Sequence, residues 1–131
     1  MASLDQERAR LAYEHVARFK DKAGDKKYAT MVHKLPALLH AAGLCQALHY
    51  VDSRGDAHQK QLLEHLAAQL RRVDGKISDA TSLLNAVRTA DLPVYLRLTH
   101  ETHACASWYR RMVQGVLKVQ MGEEDEGAAD A

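Results

Sequence analysis

The sequence predicts an all-α fold, a single compact bundle of about five to six helices with no sheet. Three observations carry that reading. Helix formers dominate and no apolar alternation of period two is sustained anywhere. Apolar residues instead recur at spacings of three and four, in segments separated by short polar breaks. The chain has 131 residues, 47% hydrophobic and 27% charged, enough for one core without disulfide or metal staples.

The first helix is expected from Ser3 to Ala23. Ser3 can cap it, Asp5 and Gln6 fill the first turn, and Leu11, Ala12, Val16, Phe19 and Ala23 form its buried stripe. Gly24-Asp25 supplies a stop and a new cap. The second segment, from about Lys26 to Asp52, is the most hydrophobic in the chain and contains both Pro36 and Gly43. Proline removes a backbone donor and disfavours helical geometry at Leu35. Gly43 permits a left-handed turn. The expectation is therefore a break near Lys34-Leu35, a short helix from Pro36 to Ala42, then a second kink or a continued helix to about Val51.

Ser53-Arg54-Gly55-Asp56 is a turn by composition, with Asp56 capping a helix over Ala57 to Val73. Leu62, Leu63, Leu66, Leu70 and Val73 line its buried side. The next helix starts near Ser78 or Asp79 and buries Ala80, Leu83, Leu84 and Val87. Asp91-Leu92-Pro93 opens the last helix, with proline in the first turn, where a missing N–H does no harm. Tyr95, Leu98, Thr102, Cys105, Tyr109, Met112, Val116 and Val119 form its stripe, which predicts a helix to about Met121 with a stop at Gly122. Residues 1–122 thus read as one domain and residues 123–131 as a disordered acidic tail.

The tail holds Glu123, Glu124, Asp125, Glu126 and Asp130 and no base. Without it, 18 Lys and Arg face 12 Asp and Glu, which leaves the body at +6. A mildly basic body is compatible with nucleic-acid contact, as it is with many ordinary domains. No apolar run approaches membrane-spanning length and MASLDQERAR lacks a signal-peptide core. Cys45 and Cys105 form no CxxC pair and lie in apolar helical patterns, which suits buried free thiols in a reducing cytoplasm.

Catalytic patterns are lacking. There is no GxSxG, no P-loop and no carboxylate cluster of the DxD type. His100-Glu101-Thr102-His103 is one residue short of HExxH, and no third ligand sits at a motif spacing. Surface histidines on a polar helix face are the better reading, and no metal or cofactor is expected. His15 and His49 carry no pattern of their own. On the last helix a second line contains Arg97, Glu101, Ala104, Trp108, Arg111, Gly115 and Lys118, beside Arg110. Such a line suits a phosphate backbone with a stacked base, or a protein interface. Composition alone favours a solvated face with Trp108 partly buried against a neighbour. Lys20, Lys22, Lys26, Lys27 and Lys34 form another basic group, and Arg71-Arg72 complements a helix C-terminus.

The opening of the second segment changes these odds. Leu35-Pro36, then Gly43-Leu44, Gln46, Leu48 and Tyr50, resembles the signature of the small α-helical subunit of the type III-B CRISPR effector complex, the Cmr module. Ala47 stands where that pattern has Thr, and Tyr50 lies one place beyond its aromatic. Arg8, Ala12 and Val16 near the N-terminus agree, as do Tyr95 to Thr99 and Ala106 to Arg111. The resemblance spans about residues 5 to 118, with the type III-A small subunit as a near alternative.

That resemblance implies a non-catalytic subunit that stacks with copies of itself into a filament, joins the other subunits of the complex, and offers cations to the backbone of target RNA paired with guide RNA. No family motif names the contacting side chains. Charge selects Arg18, Lys20, Lys27, Lys34, Arg97, Arg110 and Arg111. A helical protein-interaction module without nucleic-acid binding is the alternative.

Overall fold

The computed structural model describes residues 1–121 and contains six helices and no strand among them. They are α1 (Leu4–Ala17), α2 (Asp25–Ala42), α3 (Leu44–Arg54), α4 (Gln61–Leu70), α5 (Ala80–Thr89) and α6 (Leu92–Gly115). The all-α expectation is met. The acidic tail at 123–131 and the expected stop at Gly122 lie outside the described residues.

The helix starts follow local chemistry. Ser3 caps α1 through a reciprocal pair with Gln6, Asp79 does the same for α5 with Ser82, and Asp91 accepts from the Val94 N–H ahead of α6. Asp56 and Gln59 also form a reciprocal pair. That pair starts a run of tight turns over 57–60, and the regular helix begins only at Gln61. Two starts depend on distant side chains instead. The Tyr95 hydroxyl accepts the Cys45 N–H at 2.9 Å, and the Glu64 carboxylate accepts the Ala80 N–H at 2.6 Å.

α4 ends at Leu70, three residues short of Val73, and three other ends differ in ways that bear on the fold. α1 stops at Ala17, six residues early, and continues in tight turns through Lys22 with Asp21 at φ 57°. Lys20-Asp21-Lys22 has no apolar face to bury, and the turns swing Phe19 onto Tyr28, ring centroids 4.3 Å apart. The helix through Leu35 does not break at Pro36; α2 is continuous from Asp25 to Ala42. Val32, Leu35 and Leu39 are all at most 3% exposed on the two sides of the proline. Burying three such side chains, at roughly 1.5–3 kcal/mol each, outweighs the ~3 kcal/mol that an internal proline costs. The break falls at Gly43, whose N–H ends α2 on Leu39 O and whose carbonyl opens α3 by accepting the Ala47 N–H.

Gly43 sits at φ 85°, ψ 169°, a region open essentially to glycine alone. A Cβ there would meet nothing closer than the Tyr95 hydroxyl at 3.9 Å, so the backbone is the whole constraint. Gly43→Ala is expected to destabilise the fold by about 1–3 kcal/mol, read as a lower urea midpoint at unchanged m-value. Gly24, at φ 84°, differs in that a Cβ there would also collide with the His58 ring.

The third difference is the end of α6. The helix stops at Gly115, not near Met121, and Lys118 takes φ 62°. Val119 still reaches the core at 3% exposure, but by folding back: its N–H donates to Val113 O and its carbonyl accepts from His33 Nε2 at 3.0 Å.

α6 packs chiefly on α1 and α2, α3 on α2 and α5, and α4 on α5 and α6. Within the apolar core lies a polar centre that joins four helices. The His15 and His65 rings stack with centroids 4.1 Å apart. His15 Nδ1 pairs with the Tyr109 hydroxyl and His65 Nδ1 with the Tyr28 hydroxyl, each at 2.7 Å. The Tyr28 hydroxyl has no other acceptor among the described residues, so it donates to His65. Gln69 donates to the Tyr109 hydroxyl at 3.3 Å. Burial drives the His15 pKa down to about 4 and that of His65 down to about 3, so both imidazoles are neutral at pH 7. His15 thus has a central structural role that the sequence pattern does not reveal.

Candidate nucleic-acid interface

The charge-selected residues lie on α2, on α6 and in the turns after α1. Arg18 follows α1 as its C-terminal cap, Lys20 lies in the turns after it, and Lys27 is in the first turn of α2, all three exposed. Lys34 is exposed further along α2. Arg111 is exposed near the end of α6, beside a half-buried Arg110 that reaches the Met121 sulfur at 3.6 Å. The His33–Val119 hydrogen bond ties the middle of α2 to the segment following α6, so Lys34 and the Arg110-Arg111 pair belong to the same helix pair. Of these, Lys27 alone forms an ion pair among the described residues, at 3.5 Å to Asp56, with its side chain 63% exposed. Such a contact is easily exchanged for phosphate.

Arg97 stands apart. It precedes Arg110 by 13 positions on the same helix, which is about 20 Å of rise. The line joining it to Arg111 is interrupted. Glu101 turns inward to 5% exposure, and the half-buried Trp108 donates its indole N–H to Asp5 at 2.9 Å. The line is therefore not a continuous cationic strip with a free aromatic ring. Trp108 packs against a neighbouring helix, the blandest of the three sequence readings.

Glu101 organises this region. Arg8 grips it with Nε and Nη2, both at 2.7 Å, and Arg72 Nη1 adds a bond of 3.0 Å. The Arg8 hydrogen bonds hold the carboxyl below its ordinary pKa against the opposing effect of burial. The Cys105 thiol lies 3.5 Å from the same carboxylate, and burial raises its pKa to about 12, so it is an inert packed thiol. Cys45 is half-buried. Arg72, read from sequence as a helix-end cation, is part of this tie between α1, α4 and α6.

His100 and His103 are both exposed on α6, and no group of three or more His, Cys, Asp or Glu side chains converges on a metal-sized site among the described residues. No described helix is long and apolar enough to cross a membrane.

Residues 4–116 match the family described as "CRISPR-associated protein (Cas_Cmr5)". The chain belongs to the Cas_Cmr5 family. It is 40% identical to the "CRISPR system Cmr subunit Cmr5" of Thermus thermophilus over 118 residues, 90% of this chain and 99% of that one. The X-ray crystal structure of a CRISPR-associated Cmr5 family protein from the same organism superposes with a TM-score of 0.80 at 40% identity, covering 89% of this chain and 99% of the other. The resemblance read from Leu35-Pro36 and Gly43-Leu44 is thereby confirmed at the level of the family. The Cmr5 match ends at residue 116, before Lys118 and the fold-back of Val119.

Proposed function

We propose that this chain is the non-catalytic small subunit of a type III-B CRISPR ribonucleoprotein in the cytoplasm, serving antiviral defence. Copies of it stack into a filament beside the other subunits and contact the backbone of target RNA paired with guide RNA. The observation that carries this reading is the family match over residues 4–116, together with 40% identity to a protein named as a Cmr subunit. The electrostatics support it. Arg18, Lys20, Lys34 and Arg111 reach solvent and have no ion-pair partner among the described residues, so phosphates can take them without first breaking protein contacts. A subunit covering a few nucleotides needs only a few such cations. They give affinity and register but read no sequence, which suits a complex whose guide RNA does the reading.

Photo-crosslinking tests this directly. Target RNA carrying 4-thiouridine, bound to the assembled complex, is expected to form adducts on peptides containing Lys20, Lys27, Lys34 or Arg110-Arg111. Adducts confined to the other subunits would leave this chain as a protein-interaction module and contradict the reading.

A further inference from the structure

The separation of Arg97 from Arg110 and Arg111 has a structural counterpart. Between the start of α1, the end of α4 and the first half of α6 runs a groove. Its lining includes Leu4, Leu96, Arg8, Arg72, Arg97 and Glu101. Leu4 is 51% exposed and Leu96 58%, and Leu92, one turn before Leu96, is 68% exposed. Large aliphatic side chains are thus presented to solvent along one edge, where they gain nothing from water.

The charge in the groove is unbalanced. Three guanidiniums face one carboxylate in its lining, and Glu101 is already occupied by Arg8 and Arg72. Asp5 reaches Arg8 at 3.2 Å from outside the groove. Arg97 has no carboxylate partner among the described residues. The Glu101 tie makes the floor rigid, so an occupant would meet a preformed surface at little ordering cost.

We propose that this groove docks a protein segment that presents an aliphatic side chain to Leu4 and Leu96 and a carboxylate to Arg97, supplied by a neighbouring subunit of the complex. The reading rests on membership of that complex. The exposed leucines favour protein over RNA, since phosphate recognition gains nothing from them, and no Trp, Tyr or Phe lines the groove beside its one imidazole, His100. Arginine beside apolar surface is typical of protein interfaces. Arg97, selected from sequence as an RNA contact, becomes the anchor for a carboxylate in protein assembly.

The test uses the full chain co-expressed with the other Cmr subunits, with incorporation titrated by native mass spectrometry. The variants are Leu4→Gln/Leu96→Gln and Arg97→Glu, all at exposed positions, with thermal melts of each confirming that it folds. Each is expected to weaken incorporation about ten-fold or more, while target-RNA affinity of the complexes that do form stays unchanged. Wild-type incorporation by both variants, or by either one, would overturn the groove alone. So would a loss of RNA affinity on Arg97→Glu with incorporation intact, which would make the groove an RNA site. Failure of the wild-type chain to incorporate would contradict both the groove and the proposed function.

Discussion

Replacing Glu101 with Ala is expected to cost about 3–5 kcal/mol of folding stability, the range for removing one partner of a buried charge pair. The Arg8 side chain is only 12% exposed and spends two of its donors on Glu101. Without the carboxylate it would keep only the Asp5 contact at 3.2 Å, with little water to replace the two lost bonds. Arg72 and the Cys105 thiol would lose the same partner. Glu101→Gln keeps the shape and one good acceptor and should fall between Ala and wild type. Arg97→Ala, one turn earlier and exposed, should change stability by less than about 0.5 kcal/mol. Urea unfolding of the three variants checks the ordering, and a double-mutant cycle with Arg8→Ala isolates the pair. An Ala variant as stable as wild type would show that the tie does not hold α1 and α4 to α6.

The second large effect is a loss of stability in mild acid, from the stacked histidines. An unfolded imidazole has a pKa near 6.5, whereas burial lowers His15 to about 4 and His65 to about 3. Folded-state values below the unfolded value mean that the unfolded chain binds protons first. Stability is therefore complete above about pH 6.5 and falls as the pH drops towards 4 and then 3. Each group contributes about 1.4 kcal/mol per pH unit within that window, so the pair should remove roughly 4 kcal/mol between pH 7 and pH 5. Carboxylates are still ionised at pH 5, which separates this effect from ordinary acid unfolding. His65→Gln retains an acceptor for the Tyr28 hydroxyl and should halve the pH slope over this range. A slope unchanged in that variant would assign the acid sensitivity elsewhere.

The fold class and most helix starts were legible because they are local. Ser3, Asp79 and Asp91 cap the helices that follow them. The apolar spacing in α6 identified Leu98, Thr102, Cys105 and Tyr109 as buried. The errors arise where tertiary packing overrides local preference. Pro36 should break a helix, but Val32, Leu35 and Leu39 are buried on one surface and keep it continuous. Val119 is buried as its spacing suggested, yet it arrives by a fold-back that no periodicity encodes. Polar side chains were the hardest to place. His15, Glu101 and Arg72 lie on helix positions that read as surface or neutral, and only contacts between helices distant in sequence bring them together. Tyr95, read as a core residue, is half-buried and also caps α3.

For the functional surface, charge alone selected seven cations, and Arg97 lies about 20 Å along α6 from Arg110. Sequence order could not show the interruption between them, because the helical line linking Arg97 to Arg111 looks continuous until Glu101 and Trp108 are seen to be occupied with α1.

The central claim is that this Cmr5 family chain contributes cations to the RNA backbone. The most direct measurement is the salt dependence of target-RNA binding by the assembled complex, with wild-type chain or with Lys27→Ala/Lys34→Ala/Arg111→Ala. Each lost phosphate contact lowers the slope of log K against log salt by a little under one. The variant is therefore expected to bind more weakly, with a slope shallower by about 2 to 3 for each copy of the chain in contact. Affinity and slope both unchanged would contradict the claim.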